Sequence, residues 1–177
     1  MKKKTLALVL ALTLLVAGVV GGTLAWLTDQ TAEVKNTFTV GDINIGLTET
    51  TTDYKMVPGN TIAKDPTVTV KANSEACWLF VKVTESTDLK DFITYAIAEG
   101  WTALPGVDGV YYREVPASAA DQTFSVLADD AVTVKSDVTR TMLETAKTDA
   151  PTLTFQAYAI QRDHFATADA AWAEVSK

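Results

Sequence analysis

The first 25 residues combine the three parts of a secretory signal, so the folded domain has to be built from residues after position 25. Residues 2–4 are lysines, residues 6–20 form an almost unbroken apolar run, and residues 21–25 read Gly-Gly-Thr-Leu-Ala. A positive start, an apolar middle and small residues at the end are typical of a segment that is removed during export. We therefore predict a signal peptide over residues 1–25.

The predicted cleavage site lies after Ala25. Thr23 and Ala25 supply the small residues at the third and first positions before the cut, and Trp26 becomes the new N-terminus. An uncleaved membrane anchor is the alternative, because residues 5–27 are long enough to span a bilayer. The paired glycines, the small residues and the lack of a positive flank after Leu27 favour cleavage.

The remaining 152 residues suffice for one domain. The signal holds three of the 15 basic residues and none of the 22 acidic ones, so the mature chain has 12 basic against 22 acidic residues, net −10. Affinity for phosphate comes from Lys and Arg, so this balance argues against nucleic acid or anionic lipid as a partner. Membrane contact is expected only through the signal, before cleavage.

The single cysteine, Cys77, leaves the domain without an intramolecular disulfide. It begins the apolar run Cys-Trp-Leu-Phe-Val, which favours a small buried side chain. An intermolecular disulfide is the alternative.

Short β-branched and aromatic runs, separated by turn residues, predict an all-β domain. The predicted strands are residues 68–70, 77–83, 92–97, 101–104, 110–115, 124–127, 131–134 and 153–160. The turn cluster at 105–109 joins two of them in a hairpin, whereas 124–127 and 131–134 either pair or run on. Residues 92–97 have a helix continuing from Asp88 as their alternative. Eight or so short strands at this spacing indicate an antiparallel β-sandwich.

Two short helices and one bend complete the predicted elements. Residues 138–147 have helical spacing, and Thr167 caps a second helix with an apolar stripe that seals one end of the sandwich. A first strand is predicted over residues 38–47, where the apolar residues change parity between Val40 and Ile43. We expect a bulge or tight bend at Gly41-Asp42.

Three segments resemble parts of one known family. Residues 21–29, Gly-Gly-Thr-Leu-Ala-Trp-Leu-Thr-Asp, followed by Asn-Thr-Phe-Thr-Val-Gly at 36–41, resemble the signal class cut by the SipW-type signal peptidase of Gram-positive bacteria. Residues 57–65, Val-Pro-Gly-Asn-Thr-Ile-Ala-Lys-Asp, resemble an internal element of the same family, and 153–161 resemble its last strand. The chain is similar to the TasA/camelysin family in all three places.

The resemblance implies a location, a fold and a role. It implies secretion to the extracellular matrix or cell surface of a Gram-positive bacterium, after processing by the SipW-type peptidase. It narrows the sandwich to a jelly roll over residues 38–177, preceded by an extended segment at 26–37. It also implies a biofilm-matrix fibre subunit that associates with itself, with an accessory matrix protein as a further partner.

The family further implies that subunits are linked by the segment that cleavage frees. Here that segment begins Trp26-Leu27-Thr28-Asp29, with two large apolar residues ahead of polar ones. An extended donor segment can add to an edge strand of a neighbour through backbone hydrogen bonds. The alternative is that Trp26 and Leu27 serve only the peptidase or fold back onto their own domain.

The sequence contains no catalytic motif, so we expect a protein that is not an enzyme and takes no cofactor or metal. His164 is the only histidine, and neither a His-Glu-x-x-His nor a Gly-x-Ser-x-Gly motif is present. Asp129-Asp130 is expected in a solvated turn rather than a calcium site. Two alternatives remain: a monomeric surface adhesion module, which would expose aromatic residues on the hairpin over 101–112, and a camelysin-like metalloprotease, which the resemblance suggests.

Overall fold

Ten strands form most of the regular structure in residues 42–51 and 54–177, the part of the chain that the computed structural model describes. The strands are β1 Ile45–Thr48, β2 Thr61–Ala63, β3 Thr67–Val70, β4 Cys77–Glu85, β5 Ile93–Thr94, β6 Thr102–Ala103, β7 Val110–Val115, β8 Gln122–Ser125, β9 Ala131–Val134 and β10 Leu153–Gln161. The helices are α1 Leu89–Phe92, α2 Arg140–Ala146 and α3 Ala168–Val175, with 3₁₀ turns at Ala128–Asp130 and Arg162–His164. The prediction of an all-β domain with few short helices is confirmed.

The central sheet has the order β10-β4-β7-β6, with every pair antiparallel. β4 and β10 pair along their full nine residues, from Leu153 opposite Glu85 to Gln161 opposite Cys77. β6 and β7 form the hairpin that the turn cluster predicts, and Gly109 in that turn has a positive φ of 70°. A Cβ on Gly109 would lie 2.4 Å from the carbonyl oxygen of Val83, so the turn requires glycine.

Two shorter antiparallel ladders, β1-β3-β8 and β2-β9-β5, continue into each other. Between them, the Lys64 N–H donates to the Asp130 carbonyl at 2.7 Å, and the Val126 N–H donates to the Pro66 carbonyl at 2.9 Å. The chain that joins β8 to β9, opposite Lys64, is longer than the chain that joins β2 to β3. The 3₁₀ turn Ala128–Asp130 accommodates the extra residues. We call the combined ladders the bent sheet. The jelly-roll topology implied by the resemblance stays a prediction.

The central sheet is covered on both faces, which explains why β4 is apolar at consecutive positions. Its odd-numbered side chains, from Cys77 to Val83, pack with Val68 and Val70 of the bent sheet. Its even-numbered side chains, Trp78 and Phe80, pack under α3. A third cluster lies between α1, α2 and the β5–β9 side of the bent sheet.

Several predicted elements differ in detail from those observed. Residues 92–97 were predicted as a strand or as a helix continuing from Asp88, and each is present in part: the helix α1 ends at Phe92, and the strand β5 covers only Ile93–Thr94. Strands β8 and β9 do not pair with each other; they run on through the 3₁₀ turn and join different ladders. The predicted bend at Gly41-Asp42 involves residues before 42 and lies outside the described part.

Both predicted helices are present. α2 begins after Thr139, whose hydroxyl accepts a hydrogen bond from the Met142 N–H, and α3 begins after Thr167, whose hydroxyl accepts from the Ala170 N–H. The apolar stripe of α3 covers the outer face of the central sheet, where Trp172 packs 5.3 Å from Phe80 between ring centroids. Within the ranges that the structure describes, no helix is long and apolar enough to cross a membrane.

Candidate assembly edge beside a buried lysine

β10 is an edge strand whose outer side has no hydrogen-bonding partner among the described residues. Just beyond its ends, the Ser86 N–H donates to the Thr152 carbonyl, and the Arg162 N–H donates to the Ala76 carbonyl, both at 2.9 Å. Because bonded residues alternate along an antiparallel ladder, these two bonds assign the even-numbered residues of β10 to β4. The N–H and C=O groups of the odd-numbered residues, 153 to 161, therefore point away from the sheet.

β1 packs beside this edge without forming a ladder with it, and the composition of β10 adds no protection. Its sequence, Leu-Thr-Phe-Gln-Ala-Tyr-Ala-Ile-Gln, contains no charged residue and no proline. None of its nine residues is fully buried, whereas six of the nine residues of its neighbour β4 are. Protected edge strands usually carry charges, prolines or bulges, or are very short.

Lys64 lies beside the start of β10 and is the one buried cation in the described ranges. Only 7% of the residue is exposed, and its Nζ lies 2.6 Å from Oε1 of Glu49, which follows β1. The ammonium also faces two aromatic rings, 4.7 Å from the Tyr54 centroid and 5.4 Å from that of Phe155 in β10. The ion pair and the rings together offset the cost of removing this charge from water.

Hydrogen bonds hold the chain after β1 against this lysine. The Tyr54 hydroxyl donates to Glu49 at 2.8 Å, and burial together with that carboxylate raises the pKa of Tyr54 above its ordinary value. The Thr50 N–H donates to Asp65 at 2.9 Å, and the Thr50 hydroxyl donates to the same carboxylate. These bonds lower the pKa of Asp65, so it stays ionised at neutral pH.

Two adjoining cavities open at this place, one on each side of Lys64. The first, of about 390 Å³, lies between the end of β1 and the start of β10 and is lined by Leu47, Glu49, Lys64, Leu153 and Phe155, among others. The second, of about 430 Å³, lies toward β2 and β9, with Met56, Ile62 and Val132 in its wall. The site thus offers free backbone groups next to two cavities of mixed polar and apolar lining, with one cation between them.

Sequence reasoning missed the Lys64 cluster, although a signal for it was present. Ile62, Pro66, Val68 and Val70 share one parity, and each is partly or fully buried. Lys64 falls in the same series, so strand periodicity places it among inward-facing residues.

The residues that the sequence singled out fall into two groups, outside and inside the described ranges. The cleavage and donor residues, Thr23, Ala25, Trp26, Leu27, Thr28 and Asp29, lie outside the described residues, and their roles stay predictions. Cys77 is fully buried and free, as expected for a small core side chain. His164 lies exposed in a 3₁₀ turn, and Asp129 and Asp130 take left-handed backbone conformations in the other. Across the described ranges, no three His, Cys, Asp or Glu residues converge as metal ligands would.

The aromatic residues of the predicted hairpin are packed rather than displayed. Tyr111 packs against the core between the sheets, and Tyr112 packs against the core under α3. Adjacent residues of a strand point to opposite faces, so a half-exposed sheet would place only one of these tyrosines in a core, but this sheet is covered on both faces. Trp101 donates from its indole N–H to the Ser125 carbonyl at 2.8 Å. The exposed aromatic row of an adhesion module is therefore missing from this hairpin.

Comparison with known families covers the first half of the chain. A family model described as camelysin metallo-endopeptidase matches residues 1–89. The chain belongs to the TasA/camelysin family. The matched residues include Glu49, Tyr54 and Lys64, whereas β10 lies beyond them. No curated protein and no solved structure matches the chain.

Proposed function

We propose that this member of the TasA/camelysin family is an exported structural protein, a fibre subunit of a biofilm matrix. Its copies join when the N-terminal segment of one subunit adds to an edge strand of the next. The observation that carries the proposal is β10, a nine-residue edge strand without charges, whose outer backbone groups have no partner in the described part of the chain.

The proposed route to the fibre begins with export. The SipW-type peptidase cuts after Ala25 and frees Trp26 and Leu27 from the membrane, so that they become the start of an extended donor. Burying these two side chains contributes about 3–5 kcal/mol before ordering costs. The backbone ladder along the acceptor strand supplies the rest.

The proposed contact supports a filament rather than a closed dimer. The donor lies ahead of the domain, and the acceptor is a different surface, so each contact is head-to-tail. Head-to-tail contacts that do not close a ring produce open filaments. The fibre is retained in the extracellular matrix or at the cell surface by assembly, with an accessory matrix protein as an additional partner.

Size-exclusion chromatography and electron microscopy on two proteins test the proposal. One begins at Trp26, and the other carries four extra residues ahead of Trp26 but is otherwise identical. We expect filaments from the first and monomers from the second, because the extension keeps the donor from seating. Monomers from both proteins would overturn the proposal.

A metalloprotease is the second candidate, because the matching family model is named for one. The test is cleavage of casein by the protein beginning at Trp26, with added Zn²⁺ and with a chelator. His164 is the only histidine of the chain, so His164→Ala is the informative variant. Zinc-dependent cleavage that this variant loses would favour the protease.

A further inference from the structure

The edge strands of the sandwich differ in their capacity to accept an added strand. Among the described residues, β10 extends over nine residues, about 30 Å, whereas β1 and β8 have four residues each, β2 has three, and β5 and β6 have two each. A donor that pairs with β10 can form several consecutive ladder bonds. A donor on β5 or β6 would soon run past the end of the strand.

The start of β10 also offers a binding place for one large side chain. The cavity of about 390 Å³ opens between β1 and β10, with the apolar side chains of Leu47, Leu153 and Phe155 in its wall. Lys64 adds an ammonium group that already faces aromatic rings on two sides. Tryptophan is the side chain whose ring binds a cation best, so the cavity suits an apolar aromatic group.

We propose that Trp26 of a second copy of this chain occupies the cavity beside Lys64, while the residues after Trp26 pair along the free edge of β10. The inference rests on the proposed function and identifies its acceptor. The donor is residues 26–41, and its 16 residues are enough to pair with the nine residues of β10.

The position of the chain around β1 favours a second copy over the same subunit. The described domain begins at Asp42, ahead of β1, whereas the cavity lies at the far end of β1, beside Leu47 and Glu49. To fill the cavity of its own subunit, the segment would have to reverse direction and run back along β10. The segment of a neighbouring copy can approach β10 without that reversal.

Strand geometry separates the roles of the two apolar donor residues. Successive side chains of a strand point to opposite faces, so Trp26 shares its face with Thr28, and Leu27 lies on the other face. We expect Trp26→Ala to raise the protein concentration needed for filaments about tenfold or more, and Leu27→Ala to raise it less. Equal effects of the two variants would contradict the assignment of Trp26 to the cavity.

Engineered disulfides test the acceptor directly, because each edge strand carries one exposed threonine. The test uses Thr61 in β2, Thr94 in β5, Thr102 in β6, Thr123 in β8 and Thr154 in β10. Thr48 in β1 is left out because it lines the cavity. Leu27→Cys in the donor is combined with each threonine-to-cysteine change in turn, in the protein beginning at Trp26, because Leu27 and Thr154 both lie on the face opposite the cavity. Asp29→Cys replaces Leu27→Cys in a second series, which shifts the pairing by two residues on the same face of the donor. Cys77 is fully buried and does not compete.

The proteins are oxidised after assembly and examined on non-reducing gels. We expect a ladder of covalent oligomers with Thr154→Cys and none with the four matched controls. A ladder with one of those controls instead, at Thr61, Thr94, Thr102 or Thr123, would overturn this acceptor and leave donor-strand assembly standing. A disulfide within one subunit would show the segment on its own domain and overturn the inference. Absence of filaments from the unsubstituted protein would overturn the proposed function as well.

Discussion

At the scale of single residues, Lys64 links the bent sheet, at the point where its two ladders meet, to the edge strand β10 of the central sheet. Its backbone N–H donates to the Asp130 carbonyl between the ladders, and its side chain contacts Glu49 after β1 and Phe155 in β10. One residue thus holds three elements together. The same ammonium lies between the two cavities, where it is available to an added aromatic side chain.

Replacing Lys64 tests how much this buried pair contributes to stability. We expect Lys64→Met to lower the free energy of unfolding by about 3 kcal/mol, because Glu49 is left without its cation. The matched control is Lys71→Met, which breaks the exposed pair with Asp121 and should change stability by less than about 1 kcal/mol.

Urea unfolding followed by tryptophan fluorescence measures both variants. Adding Glu49→Gln to Lys64→Met should restore part of the loss, since the double variant leaves no unpaired charge. Equal losses for the Lys64 and Lys71 variants would contradict a structural role for the buried pair.

Cys77 provides a second prediction at this scale. Burial raises the pKa of its thiol to about 11, so the reactive thiolate is scarce at pH 8. We expect almost no reaction with a thiol reagent in the native protein and rapid reaction in urea. Rapid native labelling would contradict the burial.

The raised pKa also sets a pH dependence of stability. The folded thiol keeps its proton to a higher pH than the unfolded one, so its contribution is complete below pH 9.0 and is lost as the pH rises toward about 11. The free energy of unfolding should therefore fall more between pH 8 and pH 10.5 for the unsubstituted protein than for Cys77→Val. Parallel curves for the two proteins would contradict this.

At the scale of elements, the two edges of β10 differ in their backbone hydrogen bonding. Even-numbered residues bind β4 through their backbone, whereas odd-numbered residues leave their N–H groups at the free edge. Proline removes one N–H and is tolerated in strands only where that group is not needed. A pair of neighbouring proline substitutions therefore separates folding from assembly.

We expect Ala157→Pro to fold with little loss of stability and to stop filament growth, because its missing N–H lies on the outer edge. Gln156→Pro should lower the melting temperature strongly, since it removes a ladder bond to β4. Circular dichroism and electron microscopy on both variants check this. Normal filaments from Ala157→Pro would exclude β10 as the acceptor.

At the scale of the whole molecule, the described residues contain three hydrophobic clusters that together cover both faces of the central sheet. The partly buried Ile43, Ile45 and Leu47 join these clusters from the start of the described range. We therefore expect folding and assembly to be separable properties of the chain.

A truncated protein, residues 42–177, tests this separation. We expect it to unfold in one cooperative transition and to stay monomeric at concentrations where the protein beginning at Trp26 forms filaments. Calorimetry and size-exclusion chromatography measure both properties. An unfolded or aggregated product would mean that residues 26–41 complete the core.

The sequence alone predicted most of the local structure. Strand spacing located β3, β4, β7, β9 and β10, and helical spacing over 138–147 located α2. Thr167 marked the start of α3, and the turn at 105–109 identified the hairpin. These features depend on backbone preferences and on residues close in sequence. The family membership likewise came from short motifs that can be read without a structure.

Only the tertiary structure decided which face of each strand is covered and where the edges lie. Tyr111 and Tyr112 both pack because α3, more than 50 residues later, covers the outer face of their sheet. Glu49 and Lys64 pair because the chain after β1 returns to the point where the two ladders of the bent sheet meet. Contacts between residues far apart in sequence depend on the global fold, and the conformational preferences of short segments do not predict them. For that reason the free edge of β10 and its neighbouring cavities, the features on which the proposed assembly depends, became visible only once the strands were placed side by side.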